Sequence, residues 1–221
     1  VNRVLLSWSS GKDSAWTLHV LRQEPDFEVR GLLTTITRDH RRVMMHAVRE
    51  DLLDAQAAAL GLPVMKIYLP SRCSNEEYER AMAQALERAK ADGVDGVAFG
   101  DLYLEDVRRY REERLAGSGI TPHFPLWGTP TRSLADAMVE SGLEAYITAV
   151  DLRALDRSFA GRRFDQSFLA DLPVEVDPCG EKGEFHSFAC GGPMFAKPLR
   201  VERGEVIERQ GFAFCDLVSS A

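Results

Sequence analysis

The chain is poor in cysteine, has no long apolar run and no excess of positive charge, and each lack removes a class of protein. Four cysteines, Cys73, Cys179, Cys190 and Cys215, stand in 221 residues and form no CxxC pair. That argues against a small disulfide-stapled framework and matches no standard zinc finger. Reduced thiols in a cytoplasmic protein are the expectation. No stretch approaches the roughly 20 apolar residues of a membrane-spanning helix. The first residues show no charged segment leading into a long apolar one, so no signal peptide is expected. Formal net charge is -7. Phosphate affinity needs a basic face, so this balance argues against a general nucleic-acid or membrane-surface binder and leaves room only for a local patch. Internal repeats and low-complexity segments are also absent.

What is there is an ordinary globular composition, 45% hydrophobic. The length suits one large domain, or a domain with a smaller lobe. Val4-Leu5-Leu6 begins a buried strand that ends in a Ser/Gly cluster. Lys12–Gln23 has helical spacing, with Ala15, Leu18 and Leu21 on one face. Strands are predicted at Val29–Ile36, Val64–Leu69, Val94–Phe99 and Glu144–Val150. Helices are predicted at His46–Leu60, closed by Gly61, at Asn75–Ala91 with Asn75 as cap, at Glu105–Leu115, and from a Thr131 cap to Glu140. Strand–helix alternation of this kind marks an α/β fold, a parallel sheet with helices on both faces. The Gly117–Gly128 stretch is the candidate boundary. Val174–Lys197 has no clear periodicity, and Leu199–Phe214 suggests a closing hairpin around Arg203-Gly204.

The first loop carries the strongest chemistry. A strand, a Ser/Gly turn and a helix make an anion cradle from free N–H groups and the positive end of a helix dipole. The loop is Ser9-Ser10-Gly11-Lys12-Asp13-Ser14. A Walker A loop would need Gly at position 6 and Ser or Thr at position 13, where Leu6 and Asp13 stand. The dinucleotide pattern GxGxxG fails too. Ligands of open α/β sheets sit at the carboxyl ends of strands. Thr34 and Thr35, at the end of the second strand, are therefore candidates for adenine or ribose. Gly100-Asp101, at the end of the fourth, could position a metal ion or a reacting group.

The sequence S-S-G-K-D-S resembles the SGGxDS loop of N-type ATP pyrophosphatases, in the adenine-nucleotide alpha-hydrolase superfamily. Ser10 replaces the usual Gly. A second motif, EVDPCGEKGEFHSF from Glu175 to Phe188, is similar to the EVDPCGENGEFHT signature of the diphthine–ammonia ligase family. Ser7–Ser14 matches that family's S-x-S-G-K-D-S. Met45-His46 through Gln56-Ala57 to Pro63, and Gly100-Asp101 with Arg109-x-Arg111-x-Glu113 and Pro125-Leu126-Trp127, also look like its pattern. The resemblance implies a Rossmann-like, HUP-type ATP-binding domain, expected over 1–122, and a smaller α+β substrate lobe over 123–221.

It implies ATP-dependent amidation of a carboxylate by ammonium through an acyl-adenylate, releasing AMP and pyrophosphate. In a bacterium the carboxylate would not be diphthine, and a cobalamin precursor is one alternative. Ser7, Ser9, Ser10, Gly11, Lys12, Asp13 and Ser14 would then hold the nucleotide, with Thr34, Thr35, His46 and Gly100. Asp13 and Asp101 would position Mg²⁺. Arg109, Arg111 and Glu113 would meet phosphate or substrate. Glu175, Asp177, Cys179, Gly180, Glu181, Gly183, Glu184, Phe185 and His186 would form the acyl site, with Glu184 as ammonium site or base and His186 its rival.

Blander readings stand beside these. The Glu105–Arg114 run is by default a solvated helix face. Cys179, His186 and Cys190 are three potential zinc ligands without a fourth, and Cys179 reads more simply as a buried residue in a turn. A tRNA-modifying ATP pyrophosphatase and a non-catalytic nucleotide sensor are the competing functions. A homodimer is left open.

Overall fold

The computed structural model describes residues 1–44 and 48–220. Its first sheet is built on β1 (Asn2–Ser7), whose Val4, Leu5 and Leu6 are buried. Burial on both faces explains why the run is continuous rather than alternating. β2 (Phe27–Thr37), β4 (Val64–Leu69), β5 (Gly96–Ala98) and β6 (Thr121–His123) join it as parallel strands in the order β4-β2-β1-β5-β6. The two-residue β3 (Arg42–Val43) adds antiparallel to the far end of β2. The chain leaves β1 toward β2 on one side and leaves β5 toward β6 on the other. The carboxyl ends of β1 and β5 are therefore the switch point, where such sheets bind ligands.

The helices of this part are α1 (Lys12–Leu21), α2 (Glu50–Leu60), α3 (Asn75–Ala91) and α4 (Glu105–Leu115). The second sheet is antiparallel, in the order β8-β7-β10-β9. It comprises β7 (Glu144–Asp151), β8 (Phe185–Gly191), β9 (Val201–Arg209) and β10 (Phe212–Ser219), with α5 (Thr131–Glu140) and α6 (Gln166–Asp171) packed nearby. One apolar cluster covers one side of the first sheet through Leu5, Leu33, Val97 and Leu86. The other runs from Leu6, Leu18 and Leu53 into Phe188, Ala189 and Leu217, so the two parts share a core. Asp216 of β10 adds a polar tie to Arg42 and Arg49, at 2.9 and 2.5 Å.

Several local expectations change. The helix expected from His46 begins at Glu50, because Arg49 is extended and bridges Arg42. His46 itself lies outside the described residues. The α3 cap is Ser74, not Asn75: its hydroxyl accepts from Glu77 N–H while Glu77 accepts from Ser74 N–H, a reciprocal capping box. Thr131 is the first residue of α5 rather than its cap, which is Pro130.

The Gly117–Gly128 stretch contains β6, hydrogen-bonded into the first sheet. The unpatterned Val174–Lys197 contains β8, buried on both faces and so without alternation. The closing hairpin turns at Gln210-Gly211, whose φ angles are +53° and +81°. Gly204 sits inside β9, where a Cβ would stand 3.2 Å from the Asp216 carbonyl oxygen, beside a register shift. A glycine in a strand here marks a close backbone approach, not a turn.

Candidate active site

β1 delivers the Ser9–Ser14 loop to the switch point, and α1 starts within it. Ser14 Oγ donates to the Gly11 carbonyl at 2.9 Å, and Ser9 Oγ accepts from Gly11 N–H at 3.3 Å. Ser10 has φ +69°. A left-handed residue other than glycine costs about 1–3 kcal/mol. The Ser10 carbonyl accepts from Ala189 N–H at 2.9 Å and Gln56 Nε2 at 3.0 Å. Two such bonds, at about 0.5–1.5 kcal/mol each, are of the size needed to offset that strain.

Lys12 is 2% exposed. Its ammonium donates to both Asp13 oxygens, at 3.0 and 2.8 Å, and to the Cys179 carbonyl, and lies 5.2 Å from the Phe185 ring centre. Burial pushes its pKa down and the neighbouring Asp13 carboxylate more than offsets this, so the ammonium persists at neutral pH. The Lys12 backbone N–H donates to Ser187 Oγ of β8 at 3.1 Å. The second sheet thus sits directly on the loop.

Between them lies a polar cavity of about 230 Å³. The first part of the chain lines it with Ser7, Ser9, Lys12, Asp13 and Ser14, and with Phe99, Gly100, Asp101 and Arg111. The second part contributes Gly180, Glu181, Gly183, Phe185, His186 and Ser187. A neighbouring cavity of about 270 Å³ shares Ser7, Ser9, Phe99 and Arg111 with it, and adds Leu33, Thr35, Met44 and Val97. A polar chamber thus continues into a more apolar one. A larger cavity, about 430 Å³, lies away from the loop between Arg42, Arg49 and β9–β10.

Gly100 lets the end of β5 reach α1, since a Cβ there would meet Thr17 Oγ1 at 2.9 Å. Asp101 is held by Arg111 through Nε and Nη2, at 2.5 and 3.0 Å, and the guanidinium stacks 4.5 Å from the Phe99 ring centre. Arg109 is 61% exposed and pairs with Asp106, and Glu113 is exposed. Neither lines the cavity. Thr34 is buried, its hydroxyl donating to the Trp8 carbonyl at 2.9 Å, so it supports the loop from below.

The distal segment folds as a compact turn. Asp177 Oδ1 accepts from Cys179 N–H at 2.8 Å, and its Oδ2 from the Tyr103 hydroxyl at 3.2 Å. Gly180 has φ +69°, and a Cβ there would meet the Phe185 carbonyl at 2.9 Å, so only glycine fits. Glu184 accepts from Asp177 N–H at 3.1 Å and Lys182 N–H at 3.0 Å, one on each oxygen, and does not line the cavity. Glu175 is exposed.

Glu181 does face the cavity. Burial raises its carboxyl to about 7, with Asp13 and Asp101 adding to the shift and the Leu102 N–H, at 2.8 Å, opposing it. His186 is lowered to about 4 by burial and by the Lys12 charge, so it is neutral at pH 7. Cys179 is buried, with its thiol pushed up by desolvation, so it is no thiolate nucleophile. Among the described residues no group of three or more His, Cys, Asp or Glu side chains could hold a metal, which counts against Cys179, His186 and Cys190 as zinc ligands.

Ser187, Gln56 and the Leu102 N–H make hydrogen bonds that shape this site; the sequence patterns include Ser187 and Gln56, but neither is given a site role there, and Leu102 is not among the candidates. Gln56 had a readable signal: a polar residue on the same helix face as Leu52, Leu53 and Leu60.

The fold and cavity define a nucleotide-binding α/β protein of the Rossmann-like type, with a second antiparallel lobe closing its site. The chain belongs to the diphthamide synthase family: the model of that family's N-terminal domain matches residues 2–121, and that of its C-terminal domain residues 130–219. It is similar to the diphthine–ammonia ligase of Homo sapiens, 27% identical, with 77% of this chain and 70% of that protein covered. The Bos taurus enzyme of the same name is 26% identical over the same shares. That of Schizosaccharomyces pombe is 24% identical, covering 97% of this chain and 38% of the longer relative.

Proposed function

We propose that the protein activates a carboxylate with ATP and amidates it with ammonium, releasing AMP and pyrophosphate. The observation that carries this reading is that Glu181 and His186 of the second lobe line the same cavity as Lys12, Asp13 and Ser14 of the anion loop. A phosphate cradle alone would suit hydrolysis. A shared chamber with a proton acceptor suits a second substrate meeting an activated first one.

A carboxylate is a poor electrophile because its leaving group is oxide. Its oxygen attacks the α-phosphorus of ATP, the bond to the β-phosphate oxygen breaks, and pyrophosphate leaves toward the loop. Lys12 and the α1 amides take up that charge. Ammonia attacks the acyl carbon of the mixed anhydride, the adduct nitrogen releases one proton to solvent, and AMP departs with the bonding pair. Ammonium must lose a proton first. Glu181, at about 7, is matched to that task at neutral pH. His186, at about 4, is a weaker acceptor, and Glu184 is occupied by its own loop. We therefore assign the base to Glu181 rather than to either of them. Arg111 stands where the two cavities meet, suited to the α-phosphate or the substrate carboxylate.

Mg²⁺ usually takes one or two carboxylates and completes its shell with water and phosphate oxygens. Asp13 fits that pattern, its side chain 29% exposed at the cavity. Asp101 has both oxygens on Arg111 and fits less well. The ion would neutralise charge on the departing pyrophosphate. The names of the relatives support diphthine, a carboxylate carried on a protein, as the acyl substrate. A small acid such as a cobalamin precursor is the alternative where no diphthine is made.

The test is a screen of carboxylates with ATP, Mg²⁺ and ammonium, reading AMP and pyrophosphate. AMP should form only when carboxylate and ATP are both present, and amide only with ammonium. ADP and inorganic phosphate as products would sink the reading.

A further inference from the structure

We propose that Gln56 is a positioning residue for the pyrophosphate cradle, holding the left-handed Ser10 and locking the loop to β8. Gln56 is fully buried on α2 and spends its amide on three backbone or ring partners. Nε2 donates to the Ser10 carbonyl at 3.0 Å and to the Ala189 carbonyl at 2.7 Å. Oε1 accepts from Trp8 Nε1 at 3.0 Å. Ala189 N–H donates to the same Ser10 carbonyl at 2.9 Å. One side chain therefore joins the end of β1, the strained loop residue and the strand that carries His186 and Ser187.

Ser10 needs this help. At φ +69° a serine is strained where glycine would not be, and its buried hydroxyl has no hydrogen-bond partner among the described residues. The peptide that follows Ser10 carries the Gly11 N–H, and its tilt sets where the first cradle donors aim. Losing Gln56 would free that peptide to relax and would leave two carbonyls and an indole N–H short of partners. A glycine at position 10 would keep the backbone angle at no steric cost, so it should lessen the dependence on Gln56.

The inference rests on the loop being the ATP site, and it does not depend on the ammonia step. The experiment compares Gln56→Met, Gln56→Glu, Ser10→Gly and the double variant Gln56→Met with Ser10→Gly, in the full chain, by binding of α,β-methylene-ATP with Mg²⁺. Q56M should bind about 10-fold more weakly, the scale of one or two buried hydrogen bonds. The double variant should recover part of that loss. Relative to the parent at the same pH, Q56E should bind better near pH 5.5 than near pH 8, because only the protonated acid donates to a carbonyl. Should Q56M fail to fold, Trp8→Phe removes the indole donor together with part of a buried ring and should give a smaller loss of affinity, again relieved by Ser10→Gly.

Affinity within about twofold of the parent in Q56M, with a lower melting temperature only, would show a packing role and overturn the inference. So would a Ser10→Gly effect of equal size with and without Gln56, since independent sites add. A parent protein that does not bind the analogue sinks the ATP-site reading itself, and this inference with it.

Discussion

The Ser9–Ser14 loop and the Asp177–His186 loop face each other across one cavity, yet they are built on opposite plans. The first reaches outward. Its Lys12 bonds Cys179 and Ser187, and its Ser10 carbonyl bonds Gln56 and Ala189, all on other elements. The second turns mostly inward, with a side-chain bond outward, from the Tyr103 hydroxyl to Asp177. Asp177 accepts from the N–H groups of Cys179 and Glu181, and Glu184 from those of Asp177 and Lys182. Glu181 alone of its acidic side chains reaches a neighbouring amide, that of Leu102, and the cavity. A motif dense in carboxylates therefore need not be dense in catalysts. Carboxylates that satisfy nearby amides build the loop, and the one left facing the cavity is available for chemistry.

The comparison breaks most easily at Lys12. If the outward plan exists to present a charge to pyrophosphate, Lys12→Met should lower the rate of AMP formation by about 10²–10³-fold or more, as loss of a transition-state donor does. A rate within tenfold of the parent would mean that Lys12 only staples the lobes. Melting curves separate the cases, since a pure staple would show its loss in stability.

The inward plan is sharpened by two neighbouring substitutions. Glu181→Gln should cut ammonium-dependent turnover by about 10²-fold. It should also remove a limb of the pH profile that rises through about 7 in the parent. Glu184→Gln should act mainly on folding: an amide NH₂ now faces a backbone N–H, at a cost of about 1–3 kcal/mol. Unchanged stability with collapsed turnover in the Glu184 variant would exchange the two roles.

Glu181 also makes a stability prediction. Its folded value, about 7, stands above the unfolded 4.5. The stabilisation is fully present below about pH 4.5 and is lost as pH rises through about 7. Relative to the parent, Glu181→Gln should therefore be more stable at about pH 8 than at about pH 5, measured by denaturant unfolding.

How legible was this site in the sequence? The loop was readable because a strand, a Ser/Gly turn and a Lys-Asp-Ser helix start are contiguous, and each part has its own local physics. The parallel sheet was readable because its helices keep a 3.6-residue period. The acids of the distal segment were visible, but their directions were not. Whether Glu181 or Glu184 turns outward depends on Gly180 and Gly183, both at positive φ, which swing the chain between them. β8 was hidden because burial on both faces erases the period-2 signal. The docking of Ser187 on the Lys12 amide joins residues 175 positions apart, and no local pattern reports it.

The smallest expected effect contrasts two arginines on α4 that share one sequence pattern. Arg111 is bidentate to Asp101, stacks on Phe99 and lines both cavities. Arg111→Lys keeps the charge and loses the planar fork, so KM for ATP should rise about 5- to 10-fold with little change in stability. Arg109 makes one exposed pair at 3.5 Å, and such pairs contribute about 0–1 kcal/mol. Arg109→Ala should leave both KM values within about twofold, as expected where nothing worth more than a surface pair is lost. A larger effect at Arg109 than at Arg111 would mean that the acyl substrate, when bound, extends over the outer face of α4. The carboxylate would then be carried on something much larger than the cavity.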